Sequence, residues 1–315
     1  MFQAEVKSKV GEDISILIRP DNHAWNYLCE CGDASGLTVK EVQNTNAVFI
    51  SHTHIDHFVN FDALIRHQIG IERRVVICGP MGIARQVQAK LKAYTWNLIQ
   101  KGAIMYEIRE VIAPGKVLCF ELEPPEWELK AIDSLQGNTI FQEKTFSVSF
   151  AILDHKTPSL AFKFKENDTV KIDLGKSELP GGKWVKELKE AFEEGQKKRI
   201  IEIGNQSYCA KDLFHLLHVQ TGDSLGIIMD HAAHEENHQK ILTHFSQSEK
   251  VFIESFYKAD DQEQAQLNYH SYSRQSGKIM RRASVKQAIP VHFSRRYSEE
   301  DIRELIREFE EEFHQ

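Results

Sequence analysis

The sequence contains little cysteine, and the cysteines it has form no framework. Cys29, Cys31, Cys78, Cys119 and Cys209 are odd in number and scattered, and no CxxC pair occurs. This pattern argues against a small secreted domain stapled by disulfides. We therefore expect reduced thiols.

Long apolar runs are missing as well. The longest fall far short of the roughly 20 residues that a membrane-spanning helix needs. Residues 1–16 contain no continuous apolar stretch followed by a small-residue cleavage site, so they do not resemble a secretory signal. We expect no membrane association and a location in the cytoplasm.

Positive charge is in deficit. The chain has 39 Lys and Arg against 46 Asp and Glu, a net charge of −7. This balance argues against a protein that coats nucleic acid indiscriminately, although a local basic patch could still bind a phosphate backbone. The length of 315 residues, with 8 prolines and 17 glycines, is that of an ordinary globular protein with a sizeable core.

Short runs of β-branched and aromatic residues recur along the chain and predict strands. They lie at residues 14–18, 47–50, 75–78, 146–153, 160–164, 226–229, 251–253 and 288–291. Helical patterns occupy residues 58–69, 83–99, 238–245 and 298–313, and Ser298 with Asp301 predicts a capping-box start for the last of these. The expected fold class is α/β, with helices on the outer faces of sheets.

One charged segment interrupts this pattern. Residues 165–199 contain Pro180-Gly181-Gly182 and a short amphipathic helix that carries Trp184, Leu188 and Phe192. We expect a single domain spanning residues 1–315, with an arm inserted around residues 165–199 that protrudes from it.

Five predicted strands end in side chains that bind metals or transfer protons. These endings are His52, Asp154-His155, Asp230, Glu254 and His292. Side chains just past the carboxyl ends of strands in an open α/β sheet converge on one rim, where ligands usually bind. The endings therefore predict one site.

The strongest motif is SHTHIDHF at residues 51–58, directly after the predicted strand 47–50. His52 and His54 lie two apart on extended backbone, so their imidazoles point the same way and can chelate one ion. Asp56 and His57 lie where the chain turns into a helix and can aim at a second point. The motif predicts a site for two metal ions, whereas a histidine-rich solvated loop would require a rare chance pattern.

These segments together resemble the metallo-β-lactamase superfamily, and within it ribonuclease Z, the endonuclease that trims the 3′ ends of tRNA precursors. Further similarity lies in CECGDAS (29–35), ICGPMGI (77–83), LDHKTPSLAFKF (153–164) and the segment 268–297, which ends in HFSRRY. The resemblance covers most of the chain. It implies a four-layer αββα sandwich of the metallo-β-lactamase type with two zinc ions at one rim, for which manganese could substitute.

The resemblance also implies roles for individual residues. His52, His54 and His155 would hold one zinc ion, Asp56, His57 and His292 the other, and Asp230 would bridge them. Asp56 would in addition orient the attacking hydroxide, which two ions generate at neutral pH. His270 would stabilise the pentavalent state or protonate the leaving oxygen, and Glu254 would fix its tautomer. A plain loop position for His270 and a structural carboxylate for Glu254 are the alternatives.

Other features depart from ribonuclease Z. Residues 1–27 lack the family's Gly-Thr-Gly turn and its basic, asparagine-containing loop, and Met229-Asp230-His231 replaces Gly-Asp-Thr. The stretch 179–190 matches the family's Gly-Pro-rich arm only in part. His231 is either a supporting residue beside Asp230 or an exposed one.

Basic residues that could bind substrate phosphates lie in two places. Arg295 and Arg296 follow His292, and Lys183 and Lys186 lie on the expected arm. An ordinary charged amphipathic helix accounts for the two lysines equally well. Relatives with such an arm work as dimers, so the resemblance implies a homodimer.

A second stretch of the chain matches the sequence pattern of a metal-binding motif. Residues 234–238 read HEENH, which matches the HExxH helix of zinc proteases, yet Gln239 and Lys240 follow it. Protease helices bury this motif among apolar residues, so the polar neighbours favour a solvated helix instead.

Three functions stay open at this point. The first is a zinc-dependent phosphodiester hydrolase, an endonuclease that processes the 3′ ends of tRNA precursors. The second is a hydrolase of a small phosphodiester, sulfate ester or lactone, since fold and metals alone do not determine the substrate. The third is a non-catalytic relative that binds RNA. The intact ligand set argues against the third, and the missing basic loop favours the second over strict tRNA processing.

Overall fold

Strands make up most of the regular structure. The computed structural model describes residues 1–173, 175 and 179–315. Its strands are β1 (Phe2–Val6), β2 (Ile16–Pro20), β3 (Asn26–Cys29), β4 (Thr45–Phe49), β5 (Arg74–Pro80), β6 (Met105–Ala113), β7 (Lys116–Leu122), β8 (Lys130–Gln136), β9 (Thr139–Gln142), β10 (Phe146–Asp154), β11 (Pro158–Glu166), β12 (Thr169–Ile172), β13 (Ile200–Ile203), β14 (Gln206–Cys209), β15 (Leu217–Gln220), β16 (Ser224–Ile228), β17 (Lys250–Glu254) and β18 (Gln287–Val291).

Helices of between four and fifteen residues connect many of these strands. They are α1 (Val39–Gln43), α2 (Ile55–Phe58), α3 (Phe61–Gln68), α4 (Ile83–Lys92), α5 (Trp184–Glu193), α6 (Ala210–Leu213), α7 (Glu235–Phe245), α8 (Gln262–Leu267), α9 (Ser273–Arg282) and α10 (Glu299–Phe313). None of the described helices is long and apolar enough to cross a membrane.

Two sheets form the centre of the larger of two compact units, which comprises Met1–Lys165 and Asp223–Gln315. The first sheet has eight strands, β1 to β8 in chain order, and the second has six in the order β18-β17-β16-β11-β10-β9. In the second sheet β16, β17 and β18 run parallel to one another. Their carboxyl ends therefore lie at the same edge.

The side chains of each central strand alternate between two buried layers, because successive residues point to opposite faces. In β4, Ala47 and Phe49 face the core between the sheets, whereas Val48 packs with the helices. Phe49 contacts Phe162 and Phe164 of β11 across the sheets, at ring-centroid distances of 5.4 and 5.1 Å. Burial on both faces explains why β4 reads as a continuous apolar run.

Helices cover the outer face of each sheet. Phe61, Leu64 and Ile65 of α3 and the apolar face of α4 pack on the first sheet. The helices α7, α9 and α10 pack on the second sheet through residues that include Phe245 and Phe309. The expected αββα sandwich is therefore confirmed.

The smaller unit comprises Glu166–Gly222. Two antiparallel pairs, β12 with β15 and β13 with β14, join α5 and α6 around a core of their own that includes Trp184, Leu188 and Ile201. The arm predicted at residues 165–199 corresponds to the first part of this unit. Residues 174 and 176–178 of that arm lie outside the described residues. The unit continues to Gly222 because β14, α6 and β15 complete its core. Assignment of all 315 residues to one domain, with this segment as a protruding arm, stays a prediction.

Each predicted strand overlaps an observed one, but one predicted helix is too long. The pattern at residues 83–99 predicted a single helix, whereas α4 ends at Lys92. The indole Nε1 of Trp96 donates to the carbonyl oxygen of Leu91, 2.6 Å away, and its ring packs on Trp127 at 5.1 Å. This local hydrogen bond and this tertiary ring contact accompany the end of α4, although the apolar periodicity of the sequence continues.

Candidate metal centre

The first group of metal ligands collects at the ends of β4, β10 and β16. Between Phe49 and the start of α2 the chain bends at Ser51 and at His54, and the rings of His52 and His54 lie 4.3 Å apart. His155, which follows β10, lies 5.1 Å from both rings. These three histidines and Asp230 offer ligand atoms that all lie within 4.8 Å of one another.

The second group lies beside the first and consists of Asp56, His57 and His292. Asp56 and His57 occupy the first turn of α2, and Oδ2 of Asp56 lies 3.6 Å from Nε2 of His57 and 3.4 Å from Nε2 of His292. His292 directly follows β18 and has a φ of 57°. Such left-handed backbone is uncommon for a residue other than glycine and is often found at functional sites.

Asp230 lies between the two groups. Its Oδ2 is 3.7 Å from Nε2 of His52 and 3.5 Å from Nε2 of His155. Its Oδ1 is 3.4 Å from Nε2 of His57 and 2.9 Å from Nδ1 of His292. Each oxygen of one buried carboxylate thus faces a different ligand group, which is the arrangement that a bridging ligand needs.

Buried atoms of the site lack hydrogen-bond partners. Among the described residues these include Nε2 of His52, Nε2 of His57, Oδ1 of Asp230 and Nδ1 of His292. The last two lie 2.9 Å apart and still form no hydrogen bond, which indicates that the N–H does not point at the oxygen. An unsatisfied buried polar group costs about 1–3 kcal/mol. Imidazole and carboxylate are ligands that suit zinc, so these residues fit a metal ion that would satisfy them.

Glu30 supports the second group from behind. It directly follows β3, is fully buried and adopts a φ of 65°. Its Oε2 accepts a hydrogen bond from Nδ1 of His57 at 3.0 Å, and its Oε1 accepts one from the backbone N–H of Ser51, also at 3.0 Å. The bond to His57 leaves Nε2 for a metal, as outer carboxylates do around many metal-bound histidines. The sequence pattern did not identify Glu30, because its partners Ser51 and His57 lie 21 and 27 residues further along the chain.

Two histidines of the first group are oriented in the same way. Nδ1 of His52 is hydrogen-bonded to Oγ of Ser51 at 3.0 Å. Nδ1 of His155 donates to the carbonyl oxygen of Tyr269 at 2.6 Å. In both rings Nε2 is the nitrogen that faces Asp230.

Charges within the site compensate one another. Burial alone would lower the pKa of His57, but Asp230 and Glu30 outweigh burial and raise it to about 10. Burial likewise disfavours charge on Asp230, yet His292 and His57 hold its pKa well below the usual range. Asp230 is therefore ionised at neutral pH, which is the form that binds a cation.

Glu254, the last residue of β17, is fully buried and holds His270. Nδ1 of His270 donates to Oε1 of Glu254, and the backbone N–H groups of His231 and Ser271 both donate to Oε2 at 3.2 Å. His231 is itself buried, and its Nδ1 donates to the carbonyl oxygen of Met229 at 2.9 Å. The buried position of His231 agrees with a supporting role beside Asp230 and not with an exposed side chain.

Comparisons with known proteins agree with this geometry. No protein-family model matches the chain. Ribonuclease Z of Deinococcus radiodurans is 28% identical to it, over 98% of this chain and 94% of the relative. Among solved structures, the metallo-β-lactamase fold protein YhfI of Bacillus subtilis matches with a TM-score of 0.59 at 13% identity, over 99% of this chain and 93% of that chain. The short form of human tRNase Z matches with a TM-score of 0.59 at 13% identity, over 94% of both chains.

The chain is similar in sequence to ribonuclease Z and has the metallo-β-lactamase fold.

A cavity of about 810 Å³ opens beside the two ligand groups, and Asp56, His270 and His292 line it. Residues 8–14, which depart from the ribonuclease Z pattern, and residues 293–296 form other parts of its wall.

The four basic candidates for substrate binding differ in their surroundings. Arg295 forms an ion pair with Asp13, and the guanidinium of Arg296 lies 4.9 Å from the centre of the Tyr257 ring. Lys183 and Lys186 are exposed in the smaller unit, and Nζ of Lys186 lies 3.8 Å from Glu190. Phosphate binding by these residues stays a prediction.

The histidines of the HExxH motif bond to residues other than the proposed ligands. His234 caps α7 by accepting a hydrogen bond from the backbone N–H of Asn237 and lies 3.1 Å from Asp154, whereas His238 is buried and bonded to Gln275. Neither histidine belongs to a metal-ligand group within the described ranges. The expectation of a solvated helix is wrong in one respect, because α7 turns Asn237 and His238 towards the protein.

Proposed function

We propose that this chain is a zinc-dependent phosphodiester hydrolase that cleaves tRNA precursors endonucleolytically at their 3′ ends, in the cytoplasm. The observation that carries the proposal is the position of Asp230 between two ligand groups, with one oxygen towards each. Similarity to ribonuclease Z over 98% of the chain supports the same activity and the same substrate class.

The proposal includes two zinc ions, for which manganese could substitute. The groups His52, His54, His155 and Asp56, His57, His292 would each hold one ion, and Asp230 would contact both. When bound, such ions supply a nucleophile from water at neutral pH and neutralise charge on the phosphoryl oxygens.

The remaining chemistry falls to side chains of this chain. Asp56, whose side chain is 33% exposed, orients the attacking water and accepts its proton. His270 lines the same cavity, and Nε2 of its ring protonates the leaving oxygen while Nδ1 stays bonded to Glu254. Glu254 thus stabilises the imidazolium form of His270, in which Nδ1–H stays bonded to the carboxylate and Nε2 carries the proton that is donated.

Basic residues of both units serve the RNA in this proposal. Arg295 and Arg296 would contact the phosphates next to the cleaved bond, and Lys183 and Lys186 would contact the body of the tRNA. The active form would be a homodimer.

A second candidate is hydrolysis of a small phosphodiester, sulfate ester or lactone. One observation favours it: the loop at residues 8–14 brings Glu12 and Asp13 to the cavity wall, and Asp13 already neutralises Arg295. These two carboxylates offset part of the positive charge that Lys9, Arg295 and Arg296 bring to the same wall, which weakens the attraction of a polyanionic substrate more than that of a small one.

Two substrates separate these functions. The purified protein, with zinc or manganese, is incubated with a precursor tRNA that carries a 3′ trailer and, separately, with bis-p-nitrophenyl phosphate. Cleavage of both, abolished by Asp56→Ala, supports tRNA processing. Turnover of the small ester without RNA cleavage supports the second candidate, and activity on neither leaves only a non-catalytic relative.

A further inference from the structure

The hydrogen bond to Glu254 does not fully orient His270. It holds Nδ1, and the side chain holds the ring at Cγ, but a hydrogen bond tolerates angular deviation, so the ring can still rock about the Cβ–Cγ bond. The direction of Nε2 depends on the plane of the ring as well. A second constraint is therefore needed if Nε2 is to face the substrate.

Phe256 supplies such a constraint. Its ring stacks on the imidazole of His270 with the centroids 3.9 Å apart and the planes within 9° of parallel. The rings of His155 and Tyr257 meet the imidazole at steep angles of 62° and 73°, with centroids 4.8 and 5.9 Å away. Phe256 thus covers one face of His270 while the other two rings limit its tilt.

The backbone of Phe256 is itself fixed on both sides. Its carbonyl oxygen accepts a hydrogen bond from the N–H of Ser294 at 3.1 Å, two residues past His292. The preceding Ser255 donates to the carbonyl oxygen of Val291 at 2.9 Å, and the following Tyr257 donates to that of Ser271 at 3.3 Å. The segment thus joins the loop of His292 to the loop of His270, and the half-buried ring of Phe256 forms part of the cavity wall.

We propose that Phe256 is a positioning residue that sets the plane of the His270 imidazole, so that Nε2 faces the leaving oxygen of the substrate. The effect on catalysis rests on the proposed function, because it requires His270 to protonate that oxygen. The effect of Phe256 on the orientation of the ring does not depend on the proposed function. A residue that merely filled space at position 256 would be replaceable by any apolar side chain of similar volume.

Two variants separate stacking from packing. Phe256→Leu keeps an apolar side chain and removes the aromatic face, and Phe256→Tyr keeps the face and adds a hydroxyl. General acid catalysis contributes on the order of 10²–10⁴-fold, so we expect Phe256→Leu to lower kcat for precursor tRNA by at least about tenfold. KM should change by less than about twofold, because ground-state binding is retained. Phe256→Tyr should retain most of the activity.

The leaving group provides an internal control. A ribose oxygen needs a proton to leave, whereas p-nitrophenolate leaves without one, so turnover of bis-p-nitrophenyl phosphate should fall less than about twofold in Phe256→Leu. Equal losses on both substrates would mean that the substitution damages the metal site through His292, and would overturn the proposal. Undiminished RNA cleavage by Phe256→Leu would overturn it too.

A spectroscopic test is independent of activity. In protein with ¹³C-labelled histidine, the ring protons of His270, assigned by their loss in His270→Ala, should be shifted upfield by the stacked phenyl ring. The shift should vanish in Phe256→Leu and persist in Phe256→Tyr. An unchanged His270 signal in Phe256→Leu contradicts the stacking. If the wild-type protein cleaves neither substrate, the proposed function fails, and this comparison still decides whether Phe256 holds the ring.

Discussion

Single atoms determine what the candidate metal centre can bind. The two oxygens of Asp230 face different ligand groups, and the Nε2 atoms of His52 and His57 are buried without hydrogen-bond partners among the described residues. Outer residues such as Ser51 and Glu30 bond to the opposite ring nitrogens. The ligands are therefore oriented before any ion binds, which reduces the cost of ordering them.

Glu30 should control metal affinity without touching the metal. In Glu30→Gln the bond to Nδ1 of His57 loses its charge, and such outer-shell changes typically cost about 10–100-fold in affinity. Competition with a chromophoric chelator measures the dissociation constant. The matched control is Glu110→Gln, which alters another buried glutamate, bonded to the backbone N–H of Ala84. An affinity in Glu30→Gln equal to that of the control would contradict this role.

Asp13 should limit the contribution of Arg295 to RNA binding. In Asp13→Asn the ion pair is lost and the exposed guanidinium becomes available to a phosphate. We expect a lower KM for precursor tRNA, and a dependence of log KM on log salt that steepens by about one unit. Asp21→Asn removes the same charge away from the cavity and should change neither quantity. If Asp13→Asn changes neither quantity, as expected for Asp21→Asn, then Arg295 does not contact the RNA.

At the residue scale, sequence predicts what is local. The proposed ligands could be found because four of them share one short motif and the other three directly follow or closely follow apolar strands. Glu30 and Phe256 could not, because their contacts with His57 and His270 join segments far apart in the sequence. The carbonyl of Tyr269 that orients His155 carries no side-chain signal at all.

Helices show the same division between local and distant causes. The capping box predicted for residues 298–313 is present, with Oγ of Ser298 accepting from the backbone N–H of Asp301. That device needs only residues of the helix itself. The end of α4 depends instead on the packing of Trp96 against Trp127, which no local pattern contains. The strands β6 and β7 were missed because charged residues such as Glu107 and Arg109 interrupt their apolar pattern.

The contact between α7 and β10 should make stability depend on pH. His244 near the end of α7 bonds to Oγ of Ser149, and burial, together with Lys163, lowers its pKa to about 4. The unfolded chain has an ordinary histidine pKa of about 6.5 and takes up the proton first. Stability from this group is therefore complete above pH 6.5 and is lost as the pH falls towards 4.

Urea unfolding of chelator-treated protein between pH 7 and pH 4 measures this effect. One pKa unit corresponds to about 1.4 kcal/mol, so protonation of His244 should remove up to about 3 kcal/mol. His244→Gln should flatten the pH dependence by that amount, whereas His314→Gln, at an exposed position, should not. Equal curves for wild type and His244→Gln would contradict the assignment.

At the scale of the whole molecule, the two sheets explain how distant segments share one site. The carboxyl ends of β16, β17 and β18 lie at one edge, and the chain after β4 of the other sheet reaches the same place. Alternating strand and helix patterns predicted this class of fold. They did not predict the extent of the smaller unit, because its last strands are short and exposed.

The smaller unit should serve RNA and not small esters. The double change Lys183→Glu and Lys186→Glu should raise the KM for precursor tRNA and reduce its salt dependence by about two units on a log–log plot, since each phosphate contact contributes about one. Turnover of bis-p-nitrophenyl phosphate should be unchanged. The control Lys40→Glu with Lys116→Glu makes the same change in net charge at exposed positions of the larger unit. Similar RNA kinetics in the two variants would exclude the proposed role of the arm.

The ratio of metal to protein tests the central claim most directly. Elemental analysis of the protein, loaded with zinc and then dialysed, should give two ions per chain. The combined change His234→Ala and His238→Ala should leave that ratio at two, because the HExxH histidines lie outside the ligand groups. A wild-type ratio of one or less, or a loss of metal from the HExxH variant, would contradict the account.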